Sequence, residues 1–512
     1  MPAKSARLCI VILLGWAGLM CPLAVVARPV AAAAWHRNAA IGVFMVVAMM
    51  FISFFWLVGV KDVAFAIAYR VRRARGFPLP GTRGAGWQPS VGLLYCTCND
   101  FSAASLLESM RQDYSRCCAV ILDDSTKHEM IAAVDEFSRC YGVPVSRRPD
   151  RAAFKAGNLN WYLRRADLDY FVLLDSDEVI PPDFVSRCLD YFAAYPAVGV
   201  VQANHVAARS RTVFMRTFAP GVDAQWPATQ VVKAFSGFVY FYGHGAMVDM
   251  ACYNAVGGFP PVVAEDLCFA VEARNAGWLT VFAPDITCEE EFPIDYAAFK
   301  KRHRKQTEGS MEVIRKYSPK ILAGRMPWYE KLDIVLSTYS LPLAGVFGAF
   351  YVVTNAIILP LAGFRYHYPL WMLLPTLPVA SLIHDLLAYL RRPKATLLSY
   401  LLHSVMLLFS MYFVSLQGSI KSAVGRSIFH VTPKSTSGRG GLWPSLQQNM
   451  GEIICANVLA STAAAISGSL LTVLLLVLPV VCSVYLTVLN GRPGSHREGW
   501  ACQDRTRLKR TC

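Results

Sequence analysis

Hydrophobic positions in this chain form long unbroken blocks near both ends, and short runs between turn-forming residues in the middle. Leu8 to Ala27 and Ala39 to Val60 each reach about the ~20 apolar residues that a spanning helix needs, so they predict a transmembrane hairpin. Lys4 and Arg7 precede the first block as charges precede a secretory signal, but a signal's apolar core would be shorter. Further blocks run from Ile334 to Phe364, Pro369 to Leu390, Thr396 to Gln417 and Ile453 to Leu489. The last is too long for one crossing and predicts a bent or paired element. Arg70, Arg72, Arg73 and Arg75 follow the second block, and clustered basic residues beside a span mark its cytoplasmic side. Arg391, Arg392 and Lys394 lie before the Thr396 block, and Lys421, Arg426 and Lys434 after it. Both groups ask for the cytoplasm, so either one of them lies outside or that block sits at the membrane interface, and we place it at the interface.

The segment between the blocks has another rhythm. Val91 to Cys98, Ala119 to Leu122 and Tyr170 to Leu174 are short apolar runs suited to buried strands. Helical stretches are predicted at Ala103 to Gln112, His128 to Cys140 and Phe154 to Arg165. Strand and helix in alternation imply a mostly parallel sheet covered on both faces. The expected layout is a membrane hairpin over 1–70, an α/β domain over 71–330, membrane and interface helices over 331–491 with a cytoplasmic loop near 421–450, and a basic tail over 492–512.

Composition supports a membrane protein. Charged residues are 17% and hydrophobic residues 54%, whereas soluble domains carry about 25% charge. The net charge of +15 would raise nucleic acid as a partner in a soluble protein. Here the basic residues flank apolar blocks, so the bilayer is the expected partner and nucleic acid is not. The 15 cysteines lack zinc-site spacing, and most sit in apolar runs as small hydrophobes.

Candidate chemistry falls where ligands bind in such sheets, off the carboxyl ends of the strands. The three runs end in Thr97-Cys98-Asn99-Asp100, Asp123-Asp124-Ser125 and Asp175-Ser176-Asp177-Glu178. Any one acidic cluster can simply cap the next helix. Three at one edge would repel unless a cation joined them. Asp175 and Asp177 are the pair that suits Mg²⁺ or Mn²⁺ bound with a diphosphate. Lys155-Ala156-Gly157-Asn158 opens a helix and suits an approaching phosphate. Glu265 and Asp266 begin another helix, either as favourable charges at its N-terminus or as a source of a general base.

Taken in order, Asp123-Asp124, Lys155-Ala156-Gly157-Asn158, Asp175-Ser176-Asp177, Gly258-Phe259 and Glu265-Asp266 resemble the inverting family 2 glycosyltransferases. The membrane-embedded branch, with cellulose synthase and related β-glycan synthases, is the most similar. Phe429 to Lys434 resembles the Phe-x-Val-Thr-Pro-Lys segment of that branch, and Gly438 to Leu442 lies where related synthases have a loop that closes over the donor. The resemblance implies a GT-A fold and a nucleotide-sugar donor, usually UDP-linked, either a UDP-hexose or a UDP-N-acetylhexosamine. It implies that Thr97, Asp100, Asp123, Asp124, Lys155 and Asp175 hold the donor, that Asp175 and Asp177 meet the metal, and that Asp266 is the base. Gly243 and His244, with Glu265, fall on the acceptor side, although His244 is unusual for the family and is equally readable as a strand-end residue.

One departure stands out. The family's Gln-x-x-Arg-Trp segment, anchored on Gly309, reads here as Arg302 to Gln306, with Lys305 replacing the Arg on the donor and Gln306 replacing the Trp on the acceptor. Lysine still neutralises a diphosphate, without the bidentate fork of arginine, but glutamine cannot stack on a sugar as tryptophan does. Lys300 to Lys305 also suits a basic helix against anionic headgroups. Aromatics from Trp226 to Tyr242 suit either an acceptor path or a core. The resemblance leaves three functions open: a processive synthase that passes a β-linked glycan through its own helices, a transferase that adds one sugar to a lipid carrier, and a non-catalytic membrane protein. The localisation it implies is a bacterial inner (plasma) membrane, with the catalytic domain cytoplasmic.

Overall fold

The computed structural model describes residues 4–84, 86–208, 212–364, 394–425, 442–468 and 470–489. The block at Pro369 to Leu390, the Phe429 to Lys434 segment, most of the Gly438 to Leu442 loop and the tail lie outside the described residues.

Two long helices open the fold, α1 (Arg7–Arg37) and α2 (Ala39–Arg75). The hairpin pivots on Asn38, whose extended backbone breaks the helix and whose side chain accepts from the Ala40 amide at 2.7 Å, as an N-cap does. The α/β domain then runs β1 (Val91–Thr97), α3 (Ala103–Ser109), β2 (Cys117–Asp123), α4 (His128–Tyr141), β3 (Val145–Ser146), α5 (Phe154–Leu163), β4 (Tyr170–Asp175), α6 (Phe184–Ala194), β5 (Val198–Ala207), α7 (Val213–Ser236), β6 (Ala246–Asp249), α8 (Met250–Val256), α9 (Glu265–Asn275) and β7 (Leu279–Glu290). The sheet order is β3-β2-β1-β4-β6-β5-β7. All neighbours are parallel except β6, which runs antiparallel to β4 and β5. This is the mixed, mostly parallel sheet of a GT-A domain.

Strand alternation divides the interior. Leu93, Tyr95, Ile121, Val172 and Leu174 point to one face, where they meet α4 and α6 residues such as Val134 and Phe184. Leu94, Leu122, Phe171 and Leu173 point to the other, against Leu159 of α5 and Phe269 of α9. Helices on both faces leave the strand ends as the open edge.

Long α10 (Tyr296–Ala323) leads into α11 (Trp328–Thr338) and α12 (Ser340–Val353). The apolar block from Ile334 is therefore not one helix: it breaks near Tyr339 and carries a π-helical turn at Thr354–Ile358. Among the described residues, five helices are long and apolar enough to cross a membrane: Arg7–Arg37, Ala39–Arg75, Ser340–Leu361, Leu397–Ala423 and Met450–Ser467. Leu397–Ala423, the block expected at the interface, spans 27 residues. The block from Ile453 resolves into a pair, Met450–Ser467 and Leu470–Leu489, separated at Gly468 in a left-handed conformation. Leu23 and Ala27 of α1 pack with Ile52 and Phe55 of α2 and Phe347 of α12, tying the first hairpin to the later helices.

Candidate active site at the carboxyl edge of the sheet

The ends of β1, β2 and β4 carry the acidic clusters to one edge, and each is tied down differently. Asp100 joins two of them: it accepts from Thr97 Oγ1 at 3.0 Å and Cys98 N at 2.8 Å, and its other oxygen accepts from Ser176 Oγ at 2.7 Å. Asp123 accepts from Arg147 Nε at 2.8 Å. Asp124 is gripped by both ends of the Arg148 guanidinium, at 3.0 and 2.6 Å. Arg148 also donates to the carbonyls of Ala152 and Phe154 at 2.5 and 2.7 Å, so it links the β2 end to the start of α5. The sequence analysis did not single out Arg147 and Arg148.

Gly157, expected to make room for a phosphate, has a different reason to be glycine. A Cβ there would lie 2.0 Å from the Ala152 carbonyl oxygen and 2.2 Å from Arg148. The space is filled by the arginine that holds Asp124.

Lys155 makes the central connection. Its Nζ donates to Asp175 Oδ1 at 2.5 Å and to the Gly243 carbonyl at 2.8 Å. Burial would lower the ammonium's pKa, but Asp175 and neighbouring carboxylates outweigh it and hold it charged. Desolvation at the strand end would raise Asp175; Lys155 and then His244 instead pull it below the usual carboxylate range. Gly243 takes a left-handed backbone with φ +74°, and a Cβ there would stand 3.1 Å from Cβ of Asp266. The turn thus brings the Lys155–Asp175 pair and the start of α9 to one glycine.

Glu265 and Asp266 begin α9. Burial, and then the Asp266 charge, raise Glu265 to about 7. Burial also raises Asp266, against a hydrogen bond from Leu267 N at 2.7 Å and the charges of Lys305 and Lys155. Lys305 comes from α10, which docks beneath α9: Gly309 abuts Ala264, and Glu312 accepts from Val263 N at 2.8 Å. Lys305 lies one turn before that contact, and its charge acts on Asp175, Glu265 and Asp266. Gln306 is exposed on the same helix. Of the expected residues, Lys155, Asp175, Lys305, Glu265 and Asp266 gather about the Gly243 turn, Thr97, Asp100, Asp123 and Asp124 sit at the β1 and β2 ends, and Gln306 is exposed.

Behind this cluster lies a polar group that sequence reasoning did not assemble. Glu178 is fully buried and accepts from His205 Nε2 at 2.8 Å and Gly245 N at 2.9 Å. His244 Nδ1 stands 3.4 Å from the same carboxylate, and its Nε2 stands 3.6 Å from Glu290 Oε2. Burial lowers the His244 pKa, but Glu178 leads the carboxylates that raise it to about 9. His244 belongs to this group as much as to the acceptor side expected for it. Of the aromatics, Phe238 and Phe241 are core residues. Trp226 lies on α7 with its ring centroid 3.9 Å from that of Tyr242, and it forms a T-shaped pair with the His205 ring.

Known proteins match this region. Residues 170–414 match the model of the glycosyl transferase family group 2. A probable glucomannan 4-beta-mannosyltransferase of Arabidopsis thaliana is 25% identical over 238 residues, covering 44% of this chain and 44% of that protein. A counterpart from Oryza sativa subsp. japonica is 25% identical over 236 residues, covering 44% and 45%. The chain thus spans about half the length of the curated relatives it matches. Among solved structures, the mannosyltransferase PcManGT of Pyrobaculum calidifontis, in complex with GDP-Man and Mn²⁺, is 19% identical, covers 73% of this chain and 98% of its own, and has a TM-score of 0.45. The family match takes in Asp175-Ser176-Asp177, Gly258-Phe259 and Glu265-Asp266 of the motifs read from the sequence, so this stretch of the chain is similar to the glycosyl transferase family group 2.

Proposed function

We propose that this protein is an inverting membrane glycosyltransferase that moves a hexose from a nucleotide sugar onto a growing β-linked glycan and passes the product through its own helices. The observation that carries the reading is the convergence of Lys155, Asp175 and Asp266 on the Gly243 turn. A donor diphosphate anchored at one side of that turn would leave its sugar facing a carboxylate at the other. Thr97, Asp100, Asp123 and Asp124 line the nucleoside end. Lys155 and Lys305 answer the diphosphate charge. Asp266 takes the proton from the acceptor hydroxyl, and Gly243 and Glu265 face that acceptor. In-line attack opposite the leaving diphosphate inverts the anomeric centre.

The donor set suits a divalent cation. Asp175 and Asp177 follow one strand with one residue between them, and the Asp175 side chain keeps 42% of its surface open, so a hard oxygen-loving ion and a diphosphate can reach it. Held there, Mg²⁺ or Mn²⁺ would stabilise charge on the departing diphosphate.

Mannose is the first sugar to test, because the relatives bear the name 4-beta-mannosyltransferase. Arg70, Arg72, Arg73 and Arg75 after α2 support a cytoplasmic catalytic domain. The full-length protein in liposomes would be given Mn²⁺ or Mg²⁺ and labelled UDP- and GDP-hexoses, and its products sized. Label in a long glycanase-sensitive polymer supports the proposal. Label confined to a lipid extract, one sugar per carrier, would replace it with single transfer to a lipid. That second reading draws on exposed Gln306, where related synthases carry a stacking tryptophan.

A further inference from the structure

The polar group behind the Gly243 turn has more ligand atoms than its hydrogen bonds use. His205 and Glu178 are fully buried and Glu290 is nearly so. His205 Nδ1 and Glu290 Oε1 make no hydrogen bond, although each atom is shielded from solvent. Such orphans are rare in folded proteins and call for an ion or a bound water. One donor atom from each of His205, His244 and Glu290 lies within 4.8 Å of the others. His244 Nε2 stands 3.6 Å from Glu290 Oε2, near the ~3.4 Å that separates tetrahedral ligands held at about 2.0–2.1 Å.

Glu178 and Glu290 bring two buried carboxylates to the group, and Arg302 stands 3.7 Å from Glu290. The fold builds the group deliberately. The β5–β7 pairing slips between Ala203 and Asn204, immediately before His205, and bulges of this kind re-aim side chains. Gly245 has φ +52°, and a Cβ there would lie 2.1 Å from His205 Nε2 and 2.3 Å from Glu178 Oε1. Glu178 occupies the place that a carboxylate takes behind a metal-bound histidine, where it orients the ring and strengthens its donation. Glu178, His205 and Cys288 also lie within 4.8 Å of one another, but there Glu178 and His205 already satisfy each other.

We infer that His205, His244 and Glu290 form a binding site for a divalent transition-metal ion of the zinc class, separate from the Asp175–Asp177 pair. Two imidazoles and a carboxylate suit Zn²⁺ or Co²⁺ better than Mg²⁺. The ion clamps β5, β7 and the Gly243–Gly245 turn together, behind the wall on which Lys155 and Asp266 converge. Any proton on a ligating nitrogen leaves to solvent as the ion binds.

Full-length protein in detergent, purified through a tag without histidine, would be loaded with Zn²⁺ or Co²⁺, desalted without nucleotide, and its metal counted by mass spectrometry. About one ion per chain should remain in the native protein and in Asp177→Asn. His205→Gln and Glu290→Gln should each retain less than a tenth of that, and the visible bands of bound Co²⁺ should vanish. If His205→Gln fails to fold, Glu290→Gln carries the same test. A native protein that retains no ion, which would leave a buried water in the group, overturns the inference. So does an ion that Asp177→Asn loses. Metal content is read without substrate, so the outcome stands apart from any result on sugar transfer.

Discussion

The Glu265–Asp266 pair should set the pH dependence of transfer, and Glu265→Gln should move it. Burial, and then Asp266, lift Glu265 from its ordinary 4.5 to about 7. That is roughly a 300-fold gain in proton affinity, or about 3 kcal/mol at 1.36 kcal/mol per tenfold. Part of that gain is repulsion from the Asp266 charge beside it. The same repulsion acts on Asp266, which must be ionised to accept the acceptor's proton. The native rate should therefore rise with pH along a limb above the ordinary carboxylate range. Glutamine keeps the size of residue 265 and removes its charge. Asp266 then ionises without a competing carboxylate beside it, so the limb should shift toward acid, with faster transfer on its lower part. The assay is initial rate against pH at saturating donor, native against variant in the same liposomes. A limb that stays in place would mean that Asp266 ionisation does not govern the rate, and the general-base reading would fall with it.

Other perturbations read other parts of the account. Arg148→Lys should raise KM for the nucleotide sugar several-fold with kcat little changed, because one ammonium cannot hold both oxygens of Asp124 and two carbonyls; steady-state kinetics separate the two parameters. Asp333→Ala should lower the thermal unfolding midpoint in detergent by the equivalent of about 3–5 kcal/mol, since it leaves buried Lys233 without the carboxylate it meets at 2.8 Å. A change below about 1 kcal/mol would show that this pair is not the lock between α7 and α11. Gly245→Ala should lose transfer and fold poorly, seen as early elution on size exclusion, because a methyl group there collides with His205 and Glu178.

Much of the domain was legible because its signals are local. The β1, β2 and β4 strands are short apolar runs that end in polar clusters, and their boundaries fall within two residues of the observed ones. α7 was not legible: Pro220-Gly221 and Pro227 lower its intrinsic helix propensity, and packing of Phe214, Phe218 and Val232 overrides them. β6 is only four residues long and runs against its neighbours, so nothing in its pattern marks a place in the sheet. The motif residues were found because each sits at a strand or helix end in its own segment. The Glu178–His205–His244–Glu290 group draws one residue from each of four segments, and only the sheet order brings them together. A histidine inside the apolar run Val198–Ala207 was the one signal that could have pointed to it.

The measurement that tests the central claim most directly is sugar transfer by Asp266→Asn beside the native protein, with nucleotide-sugar affinity measured on both. Asparagine preserves shape and removes the base. The account predicts at least about a 10²-fold loss of transfer, the lower end of what a positioned base contributes, with donor affinity within about twofold of native. Transfer at the native rate by Asp266→Asn would contradict it and move the chemistry away from the Gly243 turn.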